Sequence, residues 1–137
     1  MPTELKFLDS NIWLYALVKE QDADKHSIAR ELAKQSGIAV STQIINEVCF
    51  NLYRNKIQIE PELEKLIHGF YLKHEIVTLD YHVLTKASRL RQSYKLSFWD
   101  SLIVSAALQA QALILYSEDM QHNQLIENRL TIINPFS

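Results

Sequence analysis

Apolar and polar positions along the chain follow two periods, short unbroken apolar runs that suit buried strands and a three-to-four-residue recurrence that suits helices. Leu5, Phe7 and Leu8 form a run that stops at Asp9, which predicts a buried first strand. Asp9, Ser10 or Asn11 then caps a helix carrying Ile12, Trp13, Leu14 and Leu17. Positions 22–36 put Ile28, Ala29, Leu32 and Ala33 on one side of a second helix that stops at Gly37, and Ile38–Val40 follow as a strand. Ser41 or Thr42 caps a third helix through Ile44, Ile45, Val48, Cys49, Leu52 and Tyr53. Glu60–Leu72 forms a fourth, with Pro61 in its first turn. Ile76–Leu79 predicts a strand, Tyr81–Tyr94 a helix with basic side chains, and Trp99–Gln111 an unusually apolar helix with small residues at Ser101, Ser105, Ala106 and Ala110. Leu113–Tyr116 and Thr131–Ile133 complete the set as strands. About five short strands joined largely through helices predict an α/β fold, a parallel sheet flanked by helices on both faces with right-handed crossovers.

Composition narrows this picture. A chain of 137 residues, 47% hydrophobic, suits one domain over 1–137 and leaves no room for a second. Two glycines (Gly37, Gly69) and three prolines (Pro2, Pro61, Pro135) leave few hairpin turns and favour helices. Cys49 stands alone, so no internal disulfide forms; a small buried core residue in a reducing cytoplasm is the expectation. The N-terminus lacks a basic stretch leading into an apolar run, so no export is expected. The charge-poor stretch Leu96–Ser117 holds Asp100, Ser105, Gln109 and Gln111, which argues against a membrane span.

A formal net charge of −2 is unfavourable for phosphate binding. Its distribution is uneven, because Lys86, Arg89, Arg91 and Lys95 lie between Asp80 and Asp100 with no acidic residue among them. With Arg54 they are the candidates to engage the phosphates of a nucleic acid, although a basic run is also what a solvated helix face looks like.

Open parallel sheets place functional groups beyond the carboxyl ends of their strands. Asp9 ends the first strand, and Asp119 follows the strand Leu113–Tyr116 within Ser117-Glu118-Asp119. Asp100 is the lone charge from Leu96 through Ser117, and Glu47 lies in a polar stripe with Gln43, Asn51 and Arg54 at helical spacing. Each acid also has a plain structural use, as a helix cap, a turn former or a solvent-facing side chain.

In order along the chain, Phe7-Leu8-Asp9-Ser10-Asn11, Asn46-Glu47-Val48, Phe98-Trp99-Asp100-Ser101-Leu102-Ile103 and Leu115-Tyr116-Ser117-Glu118-Asp119-Met120 resemble the PIN-domain nucleases, particularly the VapC-type toxins of toxin–antitoxin pairs. The resemblance covers nearly the whole chain. It implies an acidic metal centre at Asp9, Glu47, Asp100 and Asp119, supported by Asn11 and Ser117. The Asp-Met pair favours Asp119 over the neighbouring Glu118 as the last member. It also implies hydrolysis of RNA by a metal-activated water, leaving a 5′-phosphate and a 3′-hydroxyl, with a cognate VapB-type antitoxin as inhibitor and a homodimer as the assembly.

Carboxylate oxygens suit Mg²⁺ or Mn²⁺ better than zinc, and the five histidines form no HExxH pattern. Two ionised carboxylates about 5 Å apart repel by about 3 kcal/mol at an effective dielectric of about 20, so such a cluster is strained until a cation enters. Trp13, Tyr15, Tyr94 and Trp99 are candidates for base stacking, with Trp13 and Trp99 reading rather as core, and His122 as a surface residue near the site. The apolar positions of the first and third helices would serve an antitoxin or a second copy as well as a core. Two rival readings remain. A haloacid-dehalogenase-like phosphatase would use Asp9 as a covalent nucleophile but favours an acid where Asn11 stands, and a non-catalytic RNA-binding or interaction module would keep the fold without hydrolysis.

Overall fold

Strands pass into helices abruptly, because the residue that ends a strand also caps the helix after it. Asp9, directly after β1 (Leu5–Leu8), accepts from the Ser10 N–H at the start of α1 (Ser10–Leu17). Ser41, the last residue of β2 (Ile38–Ser41), accepts from the Ile44 N–H and opens α3 (Thr42–Arg54). Asp22 caps α2 (Ala23–Ala33), Asp80 caps α5 (Tyr81–Ser93) and Ser97 caps α6 (Phe98–Gln109). The remaining elements are α4 (Glu60–Lys73), β3 (Glu75–Val77), β4 (Ala112–Tyr116), β5 (Leu125–Ile126) and β6 (Leu130–Ile133). This computed structural model describes residues 4–19 and 22–137; Pro2 lies outside them.

The sheet has six strands in the order β3-β2-β1-β4-β6-β5, one more than expected. Every pairing is parallel except the last, where β5 runs antiparallel to β6. The chain winds outward from β1 through β2 to β3, then returns to the other side of β1 for β4 and β6. Right-handed crossovers then assign α1–α4 to one face and α5–α6 to the other. Reversal of the winding direction makes the gap between β1 and β4 a topological switch point, and the crevice for function opens at its carboxyl end. There the Asp9 N–H donates to the Tyr116 carbonyl (2.9 Å) and the Ser117 N–H to the Ile133 carbonyl (3.0 Å), joining three strand ends.

α6 is buried at every position from Ser101 to Leu108, which explains its apolar sequence on all sides. Its serines fit because each is satisfied: the Ser105 hydroxyl donates to the Val83 carbonyl (2.7 Å) and the Ser101 hydroxyl to the Phe98 carbonyl (2.6 Å). On the other face Trp13 packs edge-on against Phe70 at 5.0 Å, in the core rather than at a nucleic-acid surface. Cys49 is buried as well. Among the described residues no helix is long and apolar enough to cross a membrane.

Candidate active site

Asp9 is the deepest of the four acids, 5% exposed at the carboxyl end of the central strand. Its two oxygens are separately engaged, Oδ1 by the Ser10 N–H (2.7 Å) and Oδ2 by the Ser117 hydroxyl (2.7 Å). Burial pushes its carboxyl up to about 6; the Ser117 and Ser10 hydrogen bonds oppose the shift, while the charges of Asp100 and Glu47 add to it. Asp100 and Glu47 are therefore near enough for their charges to act on Asp9.

The loop after β4 is pinned at three consecutive side chains. Ser117, fully buried, reaches Asp9 and also accepts from the Asp119 N–H (3.2 Å) and the Met120 N–H (3.3 Å). Glu118 turns away to an ion pair with Lys25 of α2. Asp119 accepts from Asn11 Nδ2 (3.0 Å), two residues after Asp9. So the loop itself separates the neighbouring acids: Asp119 is on the side of Asp9, and Glu118 is spent elsewhere. Asn11 holds an acid and does not supply one, which removes the second carboxyl a phosphatase of the rival kind would want.

Helices supply the opposite wall. Glu47 of α3 is half-buried and accepts from Gln43 Nε2 (3.2 Å), one turn earlier. The same amide lies 3.5 Å from the Trp99 carbonyl and so ties α3 to the first turn of α6, where Asp100 sits. Ser97 fixes that turn by accepting from the Asp100 N–H (3.1 Å). Glu47 and Asp100 thus lie within electrostatic reach of Asp9, and Asp119 is tied to Asn11, two residues after Asp9. Among the described residues, no three acidic, histidine or cysteine side chains are drawn close enough to hold one ion together.

The donor set still suits a hard divalent cation. It is made of oxygen, and two shielded side-chain carbonyl oxygens at its edge, Asn11 Oδ1 and Gln43 Oε1, have no hydrogen-bond partner. A carboxyl whose charge is disfavoured mainly by burial, with the charges of Asp100 and Glu47 adding to it, would be relieved by a cation there. Gln43 was legible as part of the polar stripe with Glu47; its link to α6 was not.

The basic residues do not act as one patch. Lys86 is paired with Glu127, and together with Arg89 it borders a groove of α5, α6 and the β5–β6 turn that also includes His82 and Arg129. Arg91 donates to the Ser101 hydroxyl (2.6 Å) and stacks over the Phe98 ring at 4.1 Å, one turn from Asp100. Arg54 donates to Asn51 (3.0 Å) and lies over Phe50, one and two turns beyond Glu47 on α3. Lys95 is exposed in the turn before α6. Of the aromatics, Trp99 is 64% exposed, contrary to the core placement its apolar neighbours suggest, while Tyr15 packs on Phe136 and the Tyr94 hydroxyl accepts from the Glu127 N–H. His122 Nδ1 accepts from the Asn134 N–H, a use in the loop's own structure.

No curated protein matches the sequence. Among solved structures, a toxin–antitoxin complex from Klebsiella pneumoniae is similar at 18% identity and a TM-score of 0.67, over 95% of this chain and 97% of that one. VapBC2 from Rickettsia felis, bound to a DNA fragment from its promoter, is similar at 22% identity and a TM-score of 0.63, over 95% and 99%. The sarcin-ricin loop cleaving toxin VapC20 of Mycobacterium tuberculosis is similar at 15% identity and 0.63, over 80% and 86%. At these identities the likeness is one of fold. The sequence model of the PIN domain matches residues 6–126, most of the chain, with Asp9, Glu47, Asp100 and Asp119 all inside the match, so the chain belongs to the PIN-domain family.

Proposed function

We propose that this protein is a metal-dependent endoribonuclease of the cytoplasm and the toxin of a VapBC-type pair, held inactive by a VapB-type antitoxin. PIN-domain membership carries the coarser statement, a nuclease; the RNA substrate, the metal and the inhibitor belong to this reading. The observation that supports it most is that Asp9 ends the central strand at the switch point, where Ser117 bonds it and Asn11, two residues on, bonds Asp119.

Asp9, Glu47, Asp100 and Asp119 would hold Mg²⁺ or Mn²⁺. When bound, the ion neutralises phosphoryl oxygens and acidifies a water nucleophile. The chain's own part is to fix the acids. Ser117 and Ser10 orient the two oxygens of Asp9, Asn11 orients Asp119, and Gln43 orients Glu47. Arg54 and Arg91, the cations placed beside the acid-bearing helix turns, are the groups to take phosphates flanking the cut. Toxin–antitoxin complexes among the similar folds support the antitoxin. A second copy as partner follows from the family resemblance.

The test compares wild type, Asp9→Asn and Asp100→Asn, purified free of antitoxin, on several structured RNAs with Mg²⁺, Mn²⁺ or EDTA. Cleavage by wild type in metal and by neither variant is expected, and Mn²⁺ should raise the wild-type melting temperature more than that of Asp100→Asn. An RNA affinity that survives EDTA, with no cleavage of any RNA in metal and no metal-induced melting shift, would sink this reading in favour of a binding module.

A further inference from the structure

Lys25 stands where a helix does not want it. It occupies the third position of α2, and a cation in the first turn faces the positive end of the helix dipole. Asp22 and Asp24 already satisfy that end, so helix formation gives no reason for a lysine. The reason lies across the molecule. Its ammonium pairs with Glu118, 93 residues on, and sits between two aromatic faces, 5.1 Å from the Tyr15 centroid and 5.3 Å from that of Phe136. Those rings pack edge to face at 5.3 Å, and the Tyr15 carbonyl is bonded by the ring of the next residue, His26 (2.8 Å). Side chains of the pair are 30% and 23% exposed, so the contact is partly sheltered from water.

Glu118 lies between the two loop residues that face the acidic crevice. Ser117 bonds Asp9 and Asp119 meets Asn11, both on the β1–α1 side. Lys25 pulls the intervening residue toward α2. A loop held at alternate residues from one side alone can twist about its axis; a third anchor from another direction fixes that twist. We infer that Lys25 is a positioning residue for the acidic centre, acting through Glu118 to hold Ser117 and Asp119 at the angle that metal binding requires. The inference rests on the metal-site reading above.

Because the role is indirect, the measurement has to report on the ion and not on folding alone. In the whole chain 1–137, the midpoint of a Mn²⁺ binding titration, read by calorimetry at fixed temperature, is compared for wild type, Lys25→Met, Lys25→Arg, Glu118→Gln and the Lys25→Met/Glu118→Gln pair. Partners that orient metal ligands are typically worth about 10- to 100-fold in affinity; at one remove, Lys25→Met should raise the midpoint about tenfold. Lys25→Arg, which keeps the ion pair, should restore it to within about threefold, Glu118→Gln should match Lys25→Met, and the double variant should be no worse than either. A Lys25→Met midpoint equal to that of a responsive wild type, whatever happens to the metal-free melting temperature, overturns the inference and leaves the metal site standing. A wild type that does not respond to Mn²⁺ removes both.

Discussion

The sheet side of the crevice and its helical side are built differently. On the sheet side, Asp9 and Asp119 are held by hydrogen bonds from Ser10, Ser117 and Asn11, and the backbone beneath them is pinned into three strand ends. On the helical side, Glu47 has one side-chain partner, Gln43, and Asp100 is fixed among the described residues only through its backbone N–H. One wall is set in advance and the other is adjustable. Among the described residues the acids do not form a coordination shell, and on this division Glu47 and Asp100 are the less constrained of them. The division also locates strain, because Asp9, the most buried of the four carboxyls, is one whose ionised form burial disfavours.

The strongest way to break the contrast is at its rigid end. Asp9→Asn should lower metal-dependent RNA cleavage by at least about a thousandfold while stabilising the metal-free protein at neutral pH, two effects that a merely damaged fold would not combine. The sign follows from the carboxyl being raised from 3.8 to about 6 in the folded state. The native protein binds that proton more tightly than the unfolded chain, so wild type loses stability as pH rises through about 4 to 6 and recovers none above. Asparagine has no such slope. In EDTA, the unfolding free energy of Asp9→Asn relative to wild type should therefore be about 2 kcal/mol larger, that is more stable, at about pH 7.5 than at about pH 4.5. Denaturant melts at the two pH values decide it, and a gap that does not widen with pH would show Asp9 to be ionised without penalty.

A smaller effect is expected one step behind the acids. Ser117→Ala removes the donor to Asp9 Oδ2 and the acceptor for two backbone N–H groups, so the loop loses its inward anchor. Cleavage should fall by about 10- to 100-fold, and the Asp9 carboxyl should titrate higher still, since a hydrogen bond that favoured its charged form is gone. Ser117→Thr, which keeps the hydroxyl, should recover part of the rate. Equal losses in both variants would mean that the buried volume at this position matters more than the bond.

Much of this arrangement was legible in the sequence, for physical reasons that differ by element. Asp9 and Ser41 stand among the candidate caps because capping is local, and the buried strands announce themselves by unbroken apolar runs. β5 escaped because two residues carry no period, and its turn has Glu127 and Asn128 at φ of 52° and 55° without the glycine that usually marks such geometry. Trp99 was misplaced because α6 is buried only from Ser101 onward; apolar neighbours along the chain are not neighbours in space at a helix's first turn. Family resemblance brought the acids together and its Asp-Met pair favoured Asp119, but the different partners of Glu118 and Asp119, Lys25 and Asn11, lie 93 and 108 residues away and no local pattern connects them to the loop.

The same distinction between local and distant neighbours sharpens the last expectation, the smallest. By sequence alone Lys86 and Arg91 belong to one basic stretch. In the fold Lys86 is neutralised by Glu127, whereas Arg91 lies against Ser101, next to Asp100. An ion pair about one-third exposed contributes little to stability, so Lys86→Ala should change the unfolding free energy by at most about 1 kcal/mol. Its RNA affinity should stay within about twofold of wild type, since removing an already paired cation releases few phosphate contacts. Arg91→Ala should weaken RNA binding more, and more steeply at low salt, if the substrate follows the helical wall. Binding titrations at two ionic strengths rank the pair; a larger loss for Lys86→Ala would move the path of the RNA away from the adjustable wall and onto the groove beside the β5–β6 turn.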